Sequence, residues 1–251
     1  MIYQKPLTTL LILLTSLPVT ALAQDAPSTR TLRARSISFQ VDGTIPDLYA
    51  HSPTAGDEAA EGVPVEVKSY LNHEAADLIL KNDRVIFTTS SDRSSLTDSE
   101  KVMAKVQVPE SFRSAVLMFL PGDGKKDSPK YQVLPIDDDT RSFPRGSFKV
   151  INLGPIPLRI TLEKKIWDFR PGQTRVIEEP PVNNRNASAM RAYKFADEQW
   201  QGIGATSWPH PGRKRVIHVA FYNPSSKKIE LRGIRDIAVR DAADTAEAAG
   251  Q

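Results

Sequence analysis

The chain has 251 residues, 33 Lys and Arg against 30 Asp and Glu, a formal net charge of +3, and no cysteine. Without thiols it has no disulfide, thiolate nucleophile, Cys-ligated zinc or lipid-modified cysteine, so its stability has to come from buried core. The net charge is too small to imply a polyanionic partner by itself.

In chain order, the first 23 residues have the layout of a secretory signal peptide. Lys5 is their only charge, LTTLLILLTSLPV is a short apolar core, and Ala21-Leu22-Ala23 supplies the small residues of a cleavage site. A spanning helix needs roughly 20 apolar residues, and no stretch reaches that length. The mature chain is therefore expected to lack a transmembrane segment and to be exported, to the periplasm or outside the cell. Export without cysteine is ordinary in bacteria. Residues 24–33 are polar and patternless, a flexible lead-in, and 238–251 are rich in Ala and acid, a disordered tail.

Between these ends short apolar runs alternate with polar residues and are broken by Pro, Gly, Asn and Asp. SISFQV (36–41), VPVEVKSYL (63–71), ADLIL (76–80), RVIFTT (84–89) and KVMAKVQV (101–108) read as strands, with KND as a tight turn between the third and fourth. The unbroken run AVLMFL predicts a strand buried on both faces, and KYQVLPI ends the first half. The second half repeats the pattern with SFKVINL (147–153), PLRITLEKK (157–165), IWDF (166–169) and TRVIE (174–178). A hairpin of AMRAYKFA (189–196) with QWQGIGATSW (199–208) follows, then RVIHVAFYN and KKIELRGI. The helix candidates are DSEKVMAK (98–105) and the tail. The expected fold is all-β: two tandem antiparallel β-sandwich, immunoglobulin-like domains, 34–139 and 140–237, after the signal peptide.

Two segments about a hundred residues apart resemble each other. Placing Pro121 on Pro224 sets Phe119 beside Tyr222 and Val116 on Val219. With five extra residues in the first loop, Val133, Ile136 and Asp138 fall on Leu231, Ile234 and Asp236. Loops accept such insertions at little cost, so the pattern predicts one hairpin used once in each half.

The stretch YQVLPIDDDTRSFPRGSFKVINLGPIPLRITL, with KRVIHVAFYNPSSKKIELRGIRD, resembles secreted proteins of environmental Gram-negative bacteria that have a signal peptide, two β-rich halves and no assigned activity. The resemblance covers roughly residues 110–236 and its motifs are structural. It implies the compartment and a β-rich fold, and no mechanism.

Chemistry-bearing patterns are few. His51, His73, His210 and His218 have no metal-site spacing, and His218, inside an apolar strand, reads as a satisfied core histidine. GDGKKD and IDDDT lack the spacing of a calcium loop and read as hydrated turns. There is no nucleophile elbow and no phosphate-binding glycine loop. Trp200 and Trp208 bracket a Gly-rich strand, and Trp208, in SWPHPG, is the better surface candidate. Arg213, Lys214 and Arg215 precede the next strand. The expected function is that of an exported, non-catalytic structural or binding component of the cell envelope, without cofactor or metal. One alternative is a binder of carbohydrate or another anionic polymer through Trp200, Trp208, His210, Arg213, Lys214 and Arg215; another is a hydrolase with an unrecognised carboxylate site. The expected partner is an envelope glycan or another envelope protein; nucleic acid is not expected, because no recognition motif is present.

Overall fold

A computed structural model describes residues 28–53, 61–126 and 128–237. The expected signal peptide, the first residues of the expected lead-in and the Ala-rich tail lie outside them. Among the described residues the chain is all-β, with one short 3-10 segment at Arg93–Thr97 and no helix long and apolar enough to cross a membrane.

The first half forms one sheet of nine strands: β1 (Thr29–Ser38), β2 (Leu48–His51), β3 (Val63–Val65), β4 (Val67–Lys68), β5 (Ala76–Lys81), β6 (Arg84–Thr88), β7 (Val102–Gln107), β8 (Ser114–Pro121) and β9 (Tyr131–Asp137). The main path runs β3-β2-β6-β5-β1-β8-β9. The β5–β6 hairpin keeps only one ladder pair, Lys81 with Arg84, across a turn with positive φ at Asn82 and Asp83, the dihedrals of a type I′ turn. Beyond it the sheet folds back on itself, so that Phe87 on β6 meets Phe119 on β8 edge to face at 5.1 Å. The fold encloses a first core that includes Leu32, Leu48, Leu78, Leu80, Phe87, Ala104 and Leu117.

The second half forms two four-stranded sheets. The middle sheet has β10 (Phe148–Asn152), β13 (Thr174–Ile177), β16 (Arg215–Asn223) and β17 (Lys228–Asp236); the last sheet has β11 (Leu158–Leu162), β12 (Lys165–Phe169), β14 (Ala187–Ala196) and β15 (Gln199–Pro209). Strand alternation gives the middle sheet two buried faces. Phe148, Val150 and Ala220 face the last sheet with Ile160, Leu162 and Met190. Ile151, Ile217, Val219 and Phe221 face the first half, against Ile37, Phe39, Val116 and Met118. The five residues Ala115 to Phe119 of β8 are each 0% exposed, as the apolar run predicts, because one face closes the first core and the other meets the middle sheet.

The two halves share one strand arrangement. In the first, β1 runs parallel to β8, which pairs antiparallel with β9; in the second, β10 runs parallel to β16, which pairs antiparallel with β17. The registers correct the residue matching expected from sequence. Val116 sits opposite Ile136, and Ile217 opposite Ile234. Keeping Ile136 on Ile234 brings Val116 onto Ile217, two residues before Val219. A slip of two leaves every side chain on its face, so the apolar pattern alone could not detect it.

Three expectations change locally. β1 begins at Thr29, inside the expected lead-in, because Leu32 and Ala34 alternate with Arg33 and Arg35, and the arginines hid the pattern. VPVEVKSYL splits into β3 and β4. DSEKVMAK contains no helix: its second half enters β7, where Val102, Met103, Ala104 and Val106 are buried and Lys105 and Gln107 are exposed.

Candidate binding sites

Three places bring polar and aromatic side chains together. The first is the outward face of the last sheet, which belongs to none of the cores. Strand register places Arg159, Tyr193 and Gly202 side by side there, with Phe195 opposite Trp200. Phe195 and Trp200 meet edge to face at 5.2 Å, and the Arg159 guanidinium lies 4.1 Å over the Trp200 ring, a cation–π stack. Arg159 also donates to Asp168 on β12 at 2.6 and 2.8 Å, which holds it flat; the Asp168 carboxylate in turn sits below its usual range because of that hydrogen bond. A Cβ on Gly202 would meet nothing within 4 Å, so the surface beside the rings is open.

Trp208 points the other way. Counting by twos from Trp200 should keep the two tryptophans on one face. Between Gly202 and Gly204, however, Ile203 is an extra residue: Tyr193 pairs with Gly202 and Ala192 with Gly204. Such a bulge reverses the alternation. Trp208, the better surface candidate from sequence, therefore turns inward, 6% exposed, and Trp200 turns outward.

The second place is a pocket of about 400 Å³ at the open edge between the middle and last sheets. Trp208 stacks on His218 with ring centroids 3.6 Å apart and planes 3° from parallel, and Phe148 meets both rings edge-on. His210, Lys214, Thr206 and Arg235 complete the mouth. His218 is buried as expected but not satisfied, since its Nε2 has no hydrogen-bond partner. Burial pushes its imidazole down to about 3, so it is neutral near pH 7. Nδ1 of His210 accepts from the Gly212 amide at 3.0 Å, which leaves the proton of the neutral ring on Nε2.

The third is a cleft of about 580 Å³ between the halves, whose lining includes Arg33, His73, Ser114, Asp139 and Thr140. Its floor is a buried ion cluster. Arg35 donates to Asp236 at 2.8 and 2.9 Å and to Asp138 at 2.7 Å; Arg215 donates to Asp138 at 2.7 Å and to Asp236 at 3.1 Å. Asp236 is 0% exposed and Arg215 2%. Burial alone would raise the Asp236 carboxyl, but Arg35 and Arg215 hold it below the ordinary carboxylate range. Burial likewise opposes the Arg35 charge, and Asp236 and Asp138 outweigh it and raise that group. The cluster binds the halves together, since Arg35 and Asp138 come from one and Arg215 and Asp236 from the other.

Of the residues singled out from sequence, Trp208, His210 and Lys214 line one pocket, Trp200 is on the opposite face of the same sheet, and Arg215 is locked in the ion cluster. Arg213 is exposed in the turn before β16. IDDDT is not a simple hydrated turn, because Asp138 is part of the cluster. Sequence reasoning missed Arg35, Asp138, Asp236, His218 and Arg235. Two had a signal: both matched hairpins end in Ile-x-Asp, at Ile136/Asp138 and Ile234/Asp236.

No protein-family model matches the chain, and no curated protein is similar to it. Among solved structures, a Bacteroides ovatus protein described provisionally as a cell adhesion protein aligns with 85% of this chain and 100% of its own, at 7% identity and a TM-score of 0.23. A likeness that slight carries no argument about fold or activity.

Proposed function

We propose that the chain is an exported, non-catalytic binding protein of the cell envelope, made of two tandem immunoglobulin-like sandwiches (29–139 and 140–237), and that it holds a glycan on the outward face of its last sheet. The observation that carries this reading is the outward row of Tyr193, Phe195 and Trp200 beside the open surface at Gly202. Rings are normally buried for their large apolar area; here a sheet face leaves Phe195 exposed and Tyr193 and Trp200 half-buried, where they can cover the C–H face of a sugar. Arg159 stacks over Trp200, and Arg191 on the same strand face adds charge for an acidic polymer. The signal-like N-terminus supports export, and the shared strand arrangement supports two equivalent sandwiches.

The test is retention of the purified protein on a panel of neutral and acidic polysaccharides at low and moderate salt. At least one glycan should be retained, and Trp200→Ala should abolish retention while leaving the unfolding transition in place. Absence of retention at both salts, or an unchanged Trp200→Ala variant, would overturn the reading.

A further inference from the structure

The pocket between the middle and last sheets is separate from the aromatic face, because the Ile203 bulge turns Trp200 away from it. Its chemistry is specific. The floor is aromatic, from Phe148, Trp208 and His218, and the mouth carries Lys214 and Arg235 with no acidic residue in the described lining. Among the described residues neither cation has an ion pair or a side-chain hydrogen bond. At about 400 Å³ the pocket is the size of a small-molecule site.

The second observation is at the floor. His218 is 8% exposed and its Nε2 is buried with no partner. Buried polar atoms in native proteins are almost always hydrogen-bonded. Gly233 packs against the other side of the ring, where an added Cβ would sit 3.2 Å from Cε1 of His218, so the floor is closely filled there. Thr206 and the Nε2 of His210 add two more hydroxyl-compatible groups at the wall.

A ligand that answers all of these groups has a compact body with apolar C–H faces, several hydroxyls and one negative charge. We propose that the pocket binds a hexuronate, a six-membered sugar ring bearing a single carboxylate, with the carboxylate at Lys214 and Arg235 and ring hydroxyls at Thr206 and Nε2 of His210. The neutral His218 imidazole adds no charge to the floor. The two cations confine the carboxylate to the mouth, where it stays partly hydrated.

The experiment follows the indole N–H signals of Trp167, Trp200 and Trp208 by NMR, assigned through Trp200→Phe and Trp208→Phe variants, while glucuronate is added to the intact protein. Glucose and inorganic phosphate are the comparison ligands. The Trp208 signal should shift saturably with glucuronate and the Trp200 signal should stay in place. Lys214→Ala and Arg235→Ala, both at exposed positions, should each weaken binding about tenfold, the size of one charge-assisted hydrogen bond. Trp200→Ala should leave it unchanged, which separates this site from the glycan face. No saturable shift, equal binding of glucose, equal binding of phosphate, or insensitivity to both cation variants would each overturn the proposal.

Discussion

Replacing Asp236 by Asn keeps the shape of the side chain and removes its charge. In the native chain Asp236 takes hydrogen bonds from Arg35 at 2.8 and 2.9 Å and from Arg215 at 3.1 Å, with no exposed surface. After the change, two guanidinium ions share Asp138 alone, and one buried positive charge is uncompensated. Breaking a buried pair in this way costs about 3–5 kcal/mol, a large part of the roughly 5–15 kcal/mol that holds a typical domain. Urea unfolding at pH 7, followed by tryptophan fluorescence, should show the midpoint falling with the slope unchanged. Glu66→Gln breaks the exposed pair with Lys68 and should barely move the midpoint. Acid acts on the same group, because Asp236 titrates below its ordinary 3.8 in the folded chain. Its contribution is complete above about pH 4 and is lost as the pH falls through the lower native value. A loss below about 1 kcal/mol for Asp236→Asn would refute the view that this cluster joins the halves.

Lys149 is buried beside Phe143, its amine donates to the Asp137 carbonyl, and burial pushes it down to about 8. The unfolded chain keeps that proton up to about 10.5, so stability should rise by about 3 kcal/mol between pH 8 and 10.5. Lys149→Met should remove the rise and be neutral or stabilising at pH 7 in chemical denaturation. His218 works in the opposite pH range: held near 3 when folded and titrating near 6.5 when unfolded, it should lower stability as the pH drops through that window. His218→Leu should flatten this part of a melting-temperature profile. Gly202→Leu fills open space and should change stability by less than about 0.5 kcal/mol, yet block glycan retention by covering the ring face; unchanged retention would argue against that face.

Most strands are readable because period-two alternation and turn residues agree along the chain. The KND and DEQ turns show this well, since Asn82, Asp83, Asp197 and Glu198 all take positive φ at the hairpin tips. What escaped detection depends on information that periodicity does not carry. β2 is only four residues in an acidic stretch. The Ile203 bulge is a single extra residue, and it exchanged the roles of Trp200 and Trp208. The ion cluster gathers one residue from β1, one from the loop after β9 and one each from β16 and β17, so no local window contains it. Arg35 pairs with Val116 and Lys149 with Ile217, which puts two buried cations at matching ladder positions of the two halves. That relation becomes visible only once both registers are known.

The Arg35–Asp236 contact joins residues 201 positions apart, one in β1 and one in β17. During synthesis the first half is ready to collapse long before its ionic partner emerges, with Ile37, Phe39, Val116 and Met118 still uncovered. Contacts of such separation form late, after the entropy of closing long loops has been met. A chain cut short before β16 would leave that face largely bare, whereas one cut short before β17 would lose Ile234 from the cover and leave an unbalanced arginine. Closure of the molecule therefore waits for its C-terminal hairpin: β16 covers the apolar face and β17 then neutralises the arginine beneath it.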